Sequence, residues 1–259
     1  MMATSEQTKQ TTGVYVYGIV PADVEVAEDA TGVADGTVEV VTHGDIAALV
    51  SGLSVDRALG APGDLRAHAD LLDAVAGVAP VLPLRFGAVL TDADAVQEEL
   101  LSAHVDEFST ALEKLEGRAQ YIVKGRYVEK AILQEILDED DQAAALREEI
   151  RDKSEDAGRQ ARMALGELVS NAIAAKREQD TRRVVEALDD LAASVNVREP
   201  THEEEAVQVA ILADVERQDE LEQVLSELAQ AWNERVEMKL LGPQAAYDFV
   251  VTPKPEGQG

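Results

Sequence analysis

The sequence has no cysteine, four histidines, and few aromatics: one tryptophan, five tyrosines and three phenylalanines in 259 residues. Without cysteine there can be no disulfide, no thiolate metal site and no cysteine nucleophile. So few rings leave little platform for stacking single-stranded nucleic acid. Basic residues are also scarce, with 23 Lys plus Arg against 51 Asp plus Glu, for a formal net charge of −28. A surface this negative repels phosphate backbones and anionic headgroups, which argues against nucleic-acid and membrane partners. Long apolar runs are missing too. The stretch 74–84 (AVAGVAPVLPL) is too short and too proline-broken to cross a bilayer, and 1–12 (MMATSEQTKQTT) lacks the apolar core of a signal peptide. The composition therefore reads as a cytoplasmic protein.

What is present suffices for a core: 46% of residues are hydrophobic, and the length suits one large or two modest domains. Residues 14–20 (VYVYGIV) read as a strand, and 22–36 as an acidic loop. Residues 37–42 and 45–50 form two strands around His43-Gly44, a tight hairpin signal. A helix over 62–77 carries Leu65, Leu71, Leu72, Val75 and Ala76 on one stripe. Residues 78–90, with Pro80 and Pro83, read as an edge strand or irregular extended run. A second helix is expected from Asp92 to about Leu115, with Leu101, Val105, Phe108, Leu112 and Leu115 on its buried face.

From there the pattern gives a strand over 120–128, then helix to about Ser194. Breaks are expected at 138–141 (DEDD) and after Asp180-Thr181, on either side of a long Ala-rich helix spanning Leu146 to Leu168. A short strand over 195–198, a longer one over 205–214, a helix over 217–235 and a strand over 236–241 complete the order. The expected fold class is α+β in two domains. The first, 14–117, is a small α+β unit. The second, 118–251, is a modified ferredoxin-like domain (β-α-β-β-α-β) with extra helices and an ordered C-terminal segment. Residues 1–13 and 252–259 read as disordered tails.

No motif for chemistry stands out. There is no phosphate-cradling loop, no GxGxxG after a strand, no GxSxG elbow and no HExxH. The histidines, His43, His68, His104 and His202, are scattered singly. His202 with Glu203, Glu204 and Glu205 reads as a solvated acidic loop rather than a cation site. His68 reads as structural, hydrogen-bonded on a helix surface to Asp64; a catalytic site, a metal and a cofactor are all unexpected.

Three segments resist dismissal. Leu82-Pro83-Leu84-Arg85-Phe86-Gly87 sets a guanidinium among apolar neighbours, where it needs a partner if buried. It is either a structural ion pair or a binding edge. Val123-Lys124-Gly125-Arg126-Tyr127 gathers basic groups in a negative chain. Gly242-Pro243-Gln244-Ala245-Ala246-Tyr247-Asp248-Phe249-Val250 looks unusually ordered for a C-terminus.

Together with Tyr15-Val16-Tyr17-Gly18-Ile19-Val20 and His68, these segments resemble the gas vesicle protein F/L family, over about 14–251. Gln244-Ala245-Ala246 departs from the Pro and aromatic residues common in that family's ending. The resemblance marks Tyr17, Gly18, His68, Pro83, Gly87, Gly242, Pro243, Tyr247 and Phe249 as motif positions. It implies two domains, the second ferredoxin-like, no catalysis and no cofactor. It also implies a role in gas vesicle assembly, associated with the vesicle in the cytoplasm. The partner would be the small hydrophobic shell protein, bound as a holding factor or as a minor component, or other accessory proteins that this chain bridges. An enzyme binding a small molecule beside Arg85 or Lys124 is the remaining alternative. Arg85, Phe86, Lys124, Arg126 and Tyr127 are the candidate partner-binding residues; the competing reading is that they hold the two domains together.

Overall fold

Alternating β-branched and aromatic side chains make β1 (Thr12–Pro21) the central strand of an antiparallel sheet. The computed structural model describes residues 12–27, 30–54, 56–154, 156–233 and 235–250, and the chain divides into two compact units. The first takes the described residues of Met1–Gln120 and of Gly242–Gly259; the second takes those of Tyr121–Leu241. The C-terminal segment, expected in the second domain, therefore groups with the first unit. The expected tails lie outside the described residues, except that Thr12 and Gly13 already belong to β1.

In the first unit β2 (Val38–His43) and β3 (Ile46–Ser54) form the hairpin, with His43 opposite Ile46 and Gly44 at φ 59°. That left-handed conformation costs glycine nothing. The described sheet runs β2-β3-β1-β4, where β4 (Leu82–Pro83) and β5 (Val89–Leu90) both pair with β1. The β1–β3 register shifts between Val16 and Gly18, a one-residue bulge.

Helix α1 (Pro62–Ala76) starts on proline, which needs no N–H partner there, and ends at Gly77. Its buried stripe is Asp64, His68, Leu72, Val75 and Ala76. Leu65, expected on that stripe, is 49% exposed, because the inward face is centred on His68 rather than on the leucines. The next expected helix is a run of shorter pieces. They are α2 (Ala93–Ala95), capped by Asp92 accepting from the Ala95 N–H at 2.8 Å, a π-helical stretch (Val96–Leu101), a 3-10 turn (Ser102–His104) and α3 (Val105–Leu115). Leu101, Phe108, Leu112 and Leu115 are buried as expected, whereas Val105 is only half-buried and Val96, not expected on that face, is buried, because the wide and tight turns rotate the apolar face.

The second unit begins within β6 (Arg118–Tyr127), followed by α4 (Glu129–Glu139), α5 (Asp141–Arg151) and α6 (Arg159–Ala187). Then come β7 (Ala192–Val197), β8 (Glu205–Asp214), α7 (Gln218–Ala231) and β9 (Val236–Gln244). The sheet order is β7-β8-β6-β9, which is the ferredoxin-like arrangement with three helices in the first crossover. The break at 138–141 is real: Asp140 caps α5, its carboxylate accepting from the N–H groups of Gln142 and Ala143 at 2.8 and 3.0 Å. The other helical expectations need correction. The helix expected to run from Leu146 to Leu168 ends at Arg151 and restarts at Arg159. No break follows Asp180, which lies inside α6 with its carboxylate buried and bonded to other side chains, so it does not compete for the helix backbone.

Candidate functional site

In the first unit the motif residues converge on His68. The ring is 3% exposed, with Nδ1 2.9 Å from the Tyr15 hydroxyl and Nε2 3.2 Å from the Leu84 carbonyl and 2.9 Å from the Tyr247 hydroxyl. A carbonyl only accepts, so the bonding pattern puts the imidazole proton on Nε2. The Gly87 N–H then donates to the Tyr15 oxygen at 3.1 Å, and the Tyr15 O–H donates to Nδ1. Tyr17 stacks on His68 at 5.7 Å and hydrogen-bonds with the Ser51 hydroxyl at 2.7 Å, while its oxygen accepts from the Val33 N–H. Burial lowers the His68 pKa, with the Leu84 carbonyl pulling the other way. Burial likewise pushes Tyr15 up to about 12 and raises Tyr17. All three stay neutral near pH 7.

His68 therefore does not sit on the helix surface beside Asp64. The Asp64 carboxylate is occupied by Arg57, at 2.9 Å, and by the N–H groups of Gly60 and Ala61. The remaining motif residues serve close packing. A Cβ at Gly18 would lie 2.7 Å from the Leu82 carbonyl oxygen and 2.9 Å from Leu72. Gly18 pairs with Pro83, and Gly87 takes φ 93°. Pro243 lies where a Cβ on Gly77 would meet its ring at 3.4 Å. The Ala245 N–H donates to Asp73, and the Asp248 N–H to the Gln120 side chain, both at 2.9 Å. The Phe249 N–H donates to Ala246 at 3.0 Å, closing the turn that presents Tyr247.

The candidate partner-binding residues fall into two kinds. Arg85 is exposed and makes no ion pair among the described residues, so it is not the buried guanidinium its apolar neighbours suggest. Phe86 instead packs edge-on to His68 at 5.7 Å and faces the tyrosine cluster. Lys124 and Arg126 point outward from β6, with Arg126 paired to Glu204 at 2.5 Å. They line an open groove of about 490 Å³ together with Glu204, Met238 and Lys239.

Tyr127 faces the other way, 4% exposed, its hydroxyl donating to Asp180 at 2.8 Å. The second Asp180 oxygen holds Arg235 at 2.7 Å, and Arg235 also reaches Glu135 at 3.2 Å. Burial and the Asp180 carboxylate together push the Tyr127 hydroxyl well above its ordinary range. Burial pulls Arg235 down, but Asp180 and Glu135 outweigh it, and the guanidinium stays charged.

The short strand expected over 195–198 is β7, which already begins at Ala192, where the pattern gives helix to about Ser194, and the sequence pattern does not mark it as a binding surface. It is an edge strand of the described sheet, carries no charged side chain, and is exposed at every position from Ala193 to Val197. Val195 and Val197 are 36% and 55% exposed. The signal was legible as an uncharged strand in a chain that is 29% charged. His202 lies in a turn where the Glu205 carboxylate accepts from the Thr201 and His202 N–H groups at 2.6 and 3.3 Å. Among the described residues, no group of three or more His, Asp and Glu side chains is placed to hold a metal ion. No helix among them is long and apolar enough to cross a membrane.

The profile of the family described as gas vesicle synthesis protein GvpL/GvpF matches residues 13–251. Gas vesicle protein F of Streptomyces sp. (strain CB03234) is 30% identical over 248 residues, covering 91% of this chain and 98% of that protein. Gas vesicle protein L of the same strain is 33% identical over 147 residues, covering 52% of this chain and 54% of its own length. The crystal structure of the gas vesicle protein GvpF from Anabaena sp. PCC7120 superposes with a TM-score of 0.77 at 23% identity, covering 94% of this chain and 100% of that one. That of Microcystis aeruginosa gives 0.71 at 21%, covering 92% and 98%. The fold is thus shared with both.

Proposed function

The chain belongs to the gas vesicle synthesis protein GvpL/GvpF family, and on that premise we propose that it is a non-catalytic accessory factor that binds the small hydrophobic shell protein. It holds that subunit in the cytoplasm and stays associated with the growing vesicle. A shell subunit that assembles into a wall with a dry face is an aggregation hazard while free, because unpaired strand edges and apolar patches seek partners.

The observation that carries this reading is β7. An uncharged, outward-facing edge strand inside a chain of net charge −28 offers backbone pairing to an extended segment, while the rest of the surface resists aggregation. Val195 and Val197 supply apolar contacts beside that edge. Lys124, exposed on β6 of the same sheet, offers a cation to an acidic flank of the partner, while Arg126 is held by Glu204.

Co-expression with the shell protein, followed by size exclusion of the soluble fraction, tests the proposal. Soluble shell protein co-eluting with this chain is expected, and Val195→Lys with Val197→Lys should abolish it. Lys124→Ala should weaken it less. A shell protein that stays insoluble while this chain elutes alone rejects direct capture and leaves a bridging role among accessory proteins.

A further inference from the structure

The β2–β3 hairpin turn, the chain after β1, the turn after α1 and the C-terminal part of α3 enclose an open groove of about 780 Å³ in the first unit. Its charge is one-sided. Asp23, Glu25, Asp45, Glu113 and Glu116 line it, all five exposed and without an ion pair among the described residues, and no Lys or Arg lines it. The groove of the second unit, by contrast, mixes Lys124, Arg126 and Lys239 with its three glutamates. Acidity alone would say little in this chain, but between the carboxylates the half-buried Val24, Ala79 and Pro80 give apolar surface, over the buried Ile46 and Leu112.

Val78 adds a second feature. It is 87% exposed at the groove, the most exposed of the large apolar side chains among the described residues. The N–H groups of Val78 and Ala79 both donate to the Val75 carbonyl, at 2.9 and 2.8 Å, so a tight turn after α1 fixes the side chain outward. A fixed apolar side chain beside an apolar floor, ringed by unpaired carboxylates, complements one kind of ligand.

We propose that this groove docks a cationic amphipathic helix of a partner protein, its apolar face against Val78 and Pro80 and its Lys or Arg side chains on the Asp23, Asp45, Glu113 and Glu116 rim. This site is separate from β7 and does not rest on capture of the shell subunit. Burial of the apolar face supplies affinity, and the carboxylates, which repel one another, set orientation and on-rate.

The full chain can be titrated into a fluorescent helical peptide of about fifteen residues, Leu on one face and Lys on the other, at about 150 mM salt. Its two controls replace Lys by Glu or scramble the order, which destroys the apolar face. Saturable one-to-one binding of the first peptide alone is expected, read by anisotropy. Glu113→Gln with Glu116→Gln should weaken it at least about fivefold, and Val78→Asp by about tenfold or more. Glu167→Gln with Glu186→Gln, two exposed carboxylates on α6, should change it less than about twofold. Equal loss in the α6 pair, equal binding of the scrambled peptide, or no saturation would overturn the proposal. So would a drop in oligomeric state on Val78→Asp, which would assign the groove to a second copy of this chain. The substitutions are all at exposed positions, and a circular-dichroism melt checks that each variant is folded.

Discussion

The Tyr247 hydroxyl lies 2.9 Å from Nε2 of His68, across 179 residues of sequence. That bond ties the C-terminal segment to α1, the same helix whose Asp73 accepts from the Ala245 N–H. The residues that carry the family resemblance are therefore mostly parts of one packed cluster rather than a catalytic constellation.

His68→Ala should destabilise the fold by about 2–4 kcal/mol, because it leaves a cavity and strips partners from the buried Tyr15 hydroxyl and Leu84 carbonyl. Tyr247→Phe should cost about 1 kcal/mol or less, since that residue is 41% exposed and water can replace the bond. Urea unfolding would check the order. A larger loss for Tyr247→Phe would contradict the assigned network.

The same histidine predicts a pH dependence. Its folded pKa is depressed by burial, so the unfolded chain takes up a proton first, near pH ~6.5, and is favoured as it does so. The contribution of neutral His68 to stability is complete above about pH 6.5 and is lost as pH falls from there towards the folded pKa. Between pH 7 and 5.5 the urea midpoint of the parent should fall more than that of His68→Gln. Parallel slopes would rule out the depressed pKa.

In the second unit, Asp180→Ala should cost about 3–5 kcal/mol, because it leaves Arg235 charged, mostly buried and short of its closest carboxylate. Tyr127→Phe should cost about 1 kcal/mol. The double variant should cost less than the two single losses added together, since both remove the same carboxylate contact. Strict additivity in thermal unfolding would argue against a shared partner.

Gly18→Ala should lose about 1–3 kcal/mol, since the new methyl meets the backbone oxygen of Leu82 at 2.7 Å, which cannot swing away like a side chain. Gly52→Ala, with nothing within 4 Å of the added atom, is the matched control in the neighbouring strand and should lose far less. Similar midpoints for the two would show that β4 relaxes outward at little cost.

Much of the fold is legible in the sequence. The strands β1, β2, β3, β6, β8 and β9 announce themselves by alternation or β-branched runs, and α1 by its proline start and glycine stop. Where the sequence misleads, the reason is a partner distant in the chain. Asp180 looks like a helix breaker until Tyr127 and Arg235 take its carboxylate. Arg85 looks buried because its neighbours are apolar, yet it faces solvent while Leu82 and Leu84 turn inward.

By itself the sequence determined most of the strands, the α+β class, the excess of acidic residues and the family, because periodicity, turn chemistry and motif order are properties of neighbouring residues. Only the tertiary structure decided that His68 is buried among Tyr15, Tyr17, Phe86 and Tyr247. It also decided that Tyr127 serves an internal ion pair, and that β7 and the acidic groove face outward. Those outcomes depend on which residues meet across the chain, up to 179 residues apart, and for His68 and Tyr127 hydrogen-bond satisfaction of buried polar groups, not local pattern, selects them.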